Sequence, residues 1–264
     1  MRVTRPRSGA TPKARRHLQP RQATGSDVWV GGIDGCPAGW IACLQNLRTG
    51  LLRFRIFGTI ACIARWPEQP AMMAIDMPIG FADRAERGGR RCEREARALL
   101  GVRASSVFAI PCRAAILATS YADALRLNRA SSPESIGLSK QVWNIVPKMR
   151  EIDEVLRAGM VDPQRLLEAH PELAFARMNG DRALKESKRS AQGQRGRLTL
   201  LRSHGCAAVA QILDAYPRSA ASIDDILDAT ALCRTARLAL EGKGRRLPAE
   251  PEHDSFGLPM AIAW

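Results

Sequence analysis

The chain has 264 residues, 45% of them hydrophobic, which is enough to build one large core. No run approaches the roughly 18 consecutive apolar residues of a membrane span, and the N-terminus lacks the apolar segment of a secretory signal. We therefore expect a cytoplasmic protein with no membrane partner. The formal net charge is +14, and arginine far outnumbers lysine, which indicates a GC-rich bacterial source. The seven cysteines include no Cys-x-x-Cys pair, so neither a disulfide framework nor a zinc site is expected.

Part of the positive charge lies in residues 1–26, which carry no acidic side chain and almost no large apolar one. Such a composition predicts a disordered basic arm ahead of a domain spanning residues 27–264. The arm could hold nucleic acid, act as a solubilising tail, resemble a transit peptide or result from a wrongly assigned start codon. The sequence leaves these alternatives open.

The domain begins with three apolar runs separated by turn residues. They predict three strands in a meander, at Val28–Asp34, Gly39–Gln45 and Leu51–Phe57. A short helix over Ile60–Trp66 follows, and then the apolar run Ala71–Asp76 has the composition of a buried parallel strand.

Two of these strands end on a carboxylate, at Asp34 and at Asp76, and a turn containing glycine or proline follows each. Neighbouring strands lie about 5 Å apart, so both carboxylates can share one divalent cation if the strands are adjacent. The alternative is that each aspartate only begins a turn.

A strong helix is predicted over Ser222–Leu240, where Ser222 and Asp225 have the spacing of a capping box. Capping explains Asp225 by itself. It does not explain Asp228, which lies one turn further along the same face among alanine and leucine neighbours. Asp228, and with it Asp225, therefore joins the candidate carboxylates, whereas Asp224 complements the helix dipole.

The segment of approximately residues 83–220 is too long for a single crossover connection, and we predict a large and mainly helical insertion there. Arginine side chains and hydroxyl groups suit phosphate oxygens. A solvated helix face is the alternative for the first arginines, and a solvated basic loop is the alternative for Lys188. The candidate substrate-binding residues of this segment are Arg91, Arg97, Arg103, Ser105, Ser106, Arg113 and Lys188.

The run Glu168–Phe175 is predicted as a fifth strand that ends near the same site, with His170 and Glu172 on one face. In a catalytic reading, His170 is a general base and Glu172 binds metal or positions water. In a structural reading they are a polar pair on an edge strand. Lys148 is read as a neighbour of a packing tryptophan.

Seven stretches carry a resemblance to a known family. They are GIDGCPAGW, AIDMPIGF, RRCEREARALLGVRASSVFAIPCR, KQVWNIVPKMREID, EAHPELAF, LKESKRSAQG and PEHDSFGLPMAIAW, and they span Gly32 to Trp264. The chain resembles the DUF429 family, described as predicted ribonuclease H-like nucleases. The resemblance implies an α/β ribonuclease H-like fold, with three antiparallel strands, then parallel strands, and a helical insertion. Glu93 departs from the aspartate expected in the arginine-rich stretch.

These observations predict a nuclease or phosphodiesterase that depends on a divalent metal. Asp34, Asp76, Asp225 and Asp228 would hold Mg²⁺ or Mn²⁺, because clustered carboxylates without histidine or cysteine favour hard cations. The substrate would be a nucleic acid or a small phosphoester. Two other functions stay open: a nucleotide-dependent phosphotransferase of the actin and sugar-kinase type, and a nucleic-acid-binding protein without catalysis.

Overall fold

The computed structural model describes residues 27–264, so the predicted basic arm, residues 1–26, lies outside the described part. A five-stranded sheet organises this part, with the strand order β3-β2-β1-β4-β5. Strands β1, β2 and β3 pair antiparallel, whereas β4 and β5 run parallel to β1, as expected for a ribonuclease H-like sheet. The strands are β1 (Trp29–Cys36), β2 (Gly39–Asn46), β3 (Leu52–Phe57), β4 (Met72–Ile75) and β5 (Leu166–Glu168).

Helices cover both faces of the sheet, and a C-terminal hairpin forms a second, two-stranded sheet. The helices are α1 (Arg91–Leu100), α2 (Arg113–Leu117), α3 (Tyr121–Ala130), α4 (Lys140–Arg157), α5 (Pro171–Met178), α6 (Ala191–Ser203) and α7 (Ile223–Leu240). The hairpin strands are β6 (Arg246–His253) and β7 (Pro259–Ala263), and 3₁₀ turns lie at Ile60–Arg65, Gly101–Ser106 and Ala207–Gln211. In residues 27–264, every helix is too short or too polar to cross a bilayer.

Alternation along the strands divides the interior into two main cores. Ile33 and Ile75 point to the core that contains α4, whereas Val30 and Ala74 point to the core that contains α7. Parallel strands buried on both faces explain why the run ending at Asp76 is continuously apolar.

Helix α7 lies directly on β1 because Gly32 has no side chain. A Cβ atom at this position would lie 2.0 Å from the Cys233 nitrogen and 2.1 Å from the Ala229 oxygen, both in the backbone of α7. The predicted capping box begins this helix, since Asp225 Oδ2 accepts a hydrogen bond from the Ser222 nitrogen at 2.8 Å. Local capping and one close backbone contact therefore fix both the start and the position of α7.

The predicted fifth strand, Glu168–Phe175, is wrong in its extent. Strand β5 already ends at Glu168, and the apolar residues after Pro171 form the buried face of α5. Proline suits the first helical position because it lacks the N–H that would be unsatisfied there, and His170 caps the helix. Residues 83–220 are thus mainly helical, with only β5 returning to the sheet.

We expect Gly32→Ala to lower the free energy of unfolding by about 3 kcal/mol, because backbone atoms of α7 cannot move aside as side chains can. Gly31→Ala is the matched control, since its Cβ would meet the flexible side chains of Leu44 and Met73 at 3.0 and 3.2 Å. Urea unfolding of both variants measures the difference. Equal losses would mean that the contact with α7 is not the constraint.

Candidate functional site

The site begins where β1 and β4 end. Ile33 lies opposite Ile75 in the parallel pair, so Asp34 and Asp76 follow at the same edge of the sheet on adjacent strands. The Asp76 nitrogen donates to the Ile33 oxygen at 2.9 Å, which extends the pairing by one residue. Because side chains alternate along a strand, Asp34 shares the face of Gly32 and points toward α7.

Helix α7 adds a third carboxylate to this edge. Asp228 precedes Ala229, the residue whose carbonyl oxygen approaches Gly32, and only 1% of Asp228 is exposed. Burial raises the pKa of Asp34 well above its usual range, and the charges of Asp76 and Asp228 raise it further. Burial likewise raises the pKa of Asp76, and that of Asp228 to about 6. Three of the four predicted carboxylates therefore lie together.

The fourth predicted carboxylate has a different principal role. Asp225 is engaged in the capping box at the start of α7, and it contributes the smallest of the effects that raise the pKa of Asp34. It borders the cluster and serves mainly as a helix cap.

Lys188, predicted to bind substrate, is a counter-ion inside this cluster. Its Nζ lies 2.6 Å from Asp228 Oδ2, and it comes from the connection between α5 and α6. Burial lowers the pKa of Lys188, but the carboxylates of Asp228 and Asp34 outweigh burial and raise the pKa above its usual value. One cation thus offsets part of the charge of three carboxylates.

Glu172 stands beside the aspartates, and its negative charge raises the pKa of Asp76 and of Asp228. Its Oε1 accepts hydrogen bonds from Arg103 at 3.0 Å and from Arg197 at 2.6 Å. Within residues 27–264, Glu172 Oε2 and Asp228 Oδ1 are buried and have no hydrogen-bond partner. A buried acceptor without a partner costs about 1–3 kcal/mol, so both oxygens are suited to bind a cation or a water molecule.

His170 does not lie on a strand face as predicted. Its Nδ1 accepts a hydrogen bond from the Glu172 nitrogen at 3.2 Å, and its Nε2 lies 3.2 Å from the Ser106 oxygen, to which it can only donate. Both ring nitrogens are therefore engaged in the neutral ring, and no lone pair is free for the predicted general base. His170 instead joins the start of α5 to the loop after α1.

Most of the other predicted phosphate-binding residues are occupied in structural contacts. Arg113 is buried between two carboxylates, Asp153 at 2.9 Å and Asp254. Arg97 donates to two backbone carbonyl groups, and Arg91 is an exposed partner of Glu95 at 2.7 Å. These arginines stabilise the helical segment and do not gather at the aspartates.

The loop after α1 carries three of the predicted substrate-binding residues, and only some of them lie near the site. Ser105 is exposed, whereas the Ser106 hydroxyl donates to the Arg103 oxygen at 2.7 Å. Arg103 reaches Glu172, and Ser106 lines the cavity described below, so these two residues border the site.

A second buried group of ligand-type side chains was not predicted. In residues 27–264, Cys92, Glu93 and Glu168 are the one set of three whose candidate ligand atoms all lie within 4.8 Å of one another. The aspartate oxygens are not gathered as tightly in this structure.

The Arg90 guanidinium already occupies that second group, at 2.5 Å from Glu93 Oε1 and 2.6 Å from Glu168 Oε1. The remaining oxygens accept from backbone nitrogens of Arg90 at 2.6 Å and Ile79 at 2.7 Å. Burial raises the pKa of the Cys92 thiol, which keeps it protonated. With every carboxylate oxygen satisfied, we interpret this group as an ion-pair network that stabilises the fold.

A cavity of about 320 Å³ opens beside Asp34 and Asp76. Lys148, which the sequence interpretation set aside, lines this cavity from α4. Its Nζ lies 4.1 Å from the centre of the Trp40 ring, and burial lowers its pKa. The signal for Lys148 was its position within the stretch KQVWNIVPKMREID, because a single lysine on a helix carries no pattern of its own.

A comparison with protein families gives a match over most of the chain. A family model described as a protein of unknown function, DUF429, matches residues 32–253, a range that contains all the aspartates of the cluster. No curated protein and no solved structure matches the chain.

Arg113→Ala should lower the free energy of unfolding by about 3 kcal/mol or more, because it leaves the buried carboxylates of Asp153 and Asp254 without their shared cation. Arg91→Ala, on an exposed ion pair, should change stability by no more than about 0.5 kcal/mol. Urea unfolding distinguishes the two. A stable Arg113→Ala protein with weakened phosphate binding would restore the predicted substrate role.

Asp34→Asn should stabilise the chelator-treated protein at pH 8 by about 1 kcal/mol. The raised pKa of Asp34 means that the folded chain binds this proton more tightly than the unfolded chain, so stability falls as pH rises through the folded pKa. Asparagine does not titrate, and the advantage of the variant should shrink toward pH 4. Urea unfolding in EDTA at both pH values measures it.

The control for that comparison is Asp123→Asn, which alters an exposed aspartate on α3. If the gain in free energy of unfolding of Asp34→Asn stays constant with pH, the repulsion between Asp34 and its neighbouring carboxylates is not its cause.

Proposed function

The chain belongs to the DUF429 family, and we propose that it is a hydrolase of phosphodiester bonds that depends on a divalent metal. One observation carries this proposal. Carboxylates from two adjacent strand ends, buried at Asp34 and half-buried at Asp76, lie near the buried Asp228 of α7. Two oxygens of this site, Asp228 Oδ1 and Glu172 Oε2, have no partner within residues 27–264. In the buried Arg90 network, by contrast, every carboxylate oxygen has a hydrogen-bond donor.

Asp34, Asp76 and Asp228 are the proposed ligands of the metal, and Glu172 is either a further ligand or the acceptor for a water molecule. Oxygen donors without a thiolate or a free imidazole suit Mg²⁺ or Mn²⁺. Lys188 is the one basic side chain within ion-pair distance of Asp228 among the described residues, so the cluster keeps an excess of negative charge. That excess favours a divalent cation over a monovalent one.

The proposed reaction needs few additional groups. A bound Mg²⁺ or Mn²⁺ would neutralise charge on the phosphate and lower the pKa of the attacking water. The water oxygen forms a bond to phosphorus while the bond from phosphorus to the leaving oxygen breaks. Where Glu172 holds the water, its carboxylate would accept the proton that the water releases, and the leaving oxygen would take a proton from solvent.

A cleavage screen with Mg²⁺ and Mn²⁺ over single strands, duplexes, branched junctions and nucleotides tests this function. Asp34→Asn should lower the rate about 100-fold or more, because losing even a residue behind a metal ligand costs about 10–100-fold. It should also weaken Mn²⁺ binding measured by calorimetry. Asp123→Asn, at an exposed position on α3, should leave both unchanged.

Unchanged Mn²⁺ affinity in folded Asp34→Asn would falsify the assignment of Asp34 as a ligand. Conversion of ATP to a phosphorylated product without strand cleavage would favour a phosphotransferase. Salt-sensitive nucleic-acid binding without turnover would favour a binding protein.

A further inference from the structure

The cavity beside the aspartates is lined by both charged and apolar side chains. Lys148 supplies a positive charge, and the carboxylates of the lining are Asp34 and Asp76 together with Glu93 and Glu168, which Arg90 already neutralises. The apolar part of the lining includes residues from the loop after α1 and from α4: Val107, Phe108, Ile110 and Ile145. A site with an apolar wall and a few convergent polar groups is typical of small-molecule binding.

Its size limits what can enter. A cavity of about 320 Å³ lies near the lower end of the range for ligand sites, about 300–1,000 Å³. A single nucleotide unit matches this size, whereas a base-paired duplex does not fit inside a cavity this small. The half-buried ring of Phe108 offers a flat face on which a base can stack.

Lys148 supplies a positive charge close to the aspartates. Its ammonium group can donate three hydrogen bonds, and among the described residues it makes one, to the Gly39 oxygen. The Trp40 ring beneath it is itself fixed, because its Nε1 donates to Glu151 Oε2 at 2.8 Å. Lys148 is therefore held at the turn between β1 and β2, with donors left for an anion in the cavity.

We infer that this cavity binds one nucleotide-sized phosphoester, with the phosphate between Lys148 and the aspartates and the base against Phe108 and Ile145. The inference rests on the proposed function and adds the substrate class to it. A free nucleotide and the end of a single strand share this chemistry. A duplex bound along its backbone does not.

Calorimetry with Ca²⁺ in place of Mg²⁺ tests binding separately from turnover, with adenosine 5′-monophosphate, inorganic phosphate, a five-nucleotide single strand and a duplex as probes. We expect the monophosphate or the single strand to bind at least 10-fold more tightly than inorganic phosphate. Tight binding of the monophosphate identifies a free nucleotide as the natural form of the ligand. Tight binding of the single strand alone identifies a chain end.

Two substitutions connect that binding to the cavity. Ile145→Trp should fill the apolar part of the cavity, so that the nucleotide no longer binds more tightly than inorganic phosphate. Asn144→Trp, at the neighbouring exposed position of α4, is its control. Lys148→Met keeps the stem over Trp40 and should weaken both ligands about 10-fold, with the exposed Lys140→Met as its control.

The inference is overturned if the nucleotides bind no better than phosphate, if the duplex alone binds, or if folded Ile145→Trp binds nucleotides normally. Far-ultraviolet circular dichroism verifies that each variant is folded. If metal-dependent cleavage of long strands survives in Ile145→Trp, the proposed function stands and only the substrate class is wrong. If no metal binds to the unsubstituted protein, the proposed function itself fails.

Discussion

The contact between two backbones, β1 at Gly32 and α7 at Ala229 and Cys233, is the constraint on which the site depends. Any side chain at Gly32 would push the helix away from the sheet. With glycine there, α7 rests on the strand, and the residue before Ala229 lies beside the end of β1. The position of Asp228 relative to Asp34 is therefore a consequence of packing and needs no direct bond between them.

Close packing then creates an electrostatic problem that the chain only partly resolves. Burial raises the pKa values of the aspartates, and their mutual repulsion adds to the cost of ionisation. Lys188 neutralises one carboxylate, and Arg103 and Arg197 share one oxygen of Glu172. The oxygens that remain distinguish this site from the Arg90 network, where the same residue types are fully paired.

The high arginine content has a structural explanation in the described part of the chain. Arg90, Arg113 and Arg197 are all buried, and each one pairs with at least one buried carboxylate. Guanidinium groups suit such positions because they donate several hydrogen bonds in one plane. A formal charge of +14 is thus a weak argument for a nucleic-acid surface, since several of its arginines are internal.

Features that depend on neighbouring residues were determined by the sequence alone. Apolar runs bounded by turn residues predicted β1, β2 and β3, and a compact apolar run predicted β4 with Asp76 at its end. The spacing of Ser222 and Asp225 predicted the capping box of α7. The sequence also placed Asp34 and Asp76 at the ends of their strands, because strand ends are marked by a few consecutive residues. That both ends lie at one edge of the sheet depended on β1 and β4 being adjacent and parallel, which the tertiary structure decided.

Tertiary structure decided which charged groups meet. Arg113 pairs with Asp254, 141 residues away, and Lys188 with Asp228, 40 residues away, so neither pair leaves a local pattern. Lys148 reaches Gly39 across 109 residues for the same reason. The period of a helix or strand can be recognised in a few consecutive residues. A buried charge meets its partner only after distant segments of the chain have packed together.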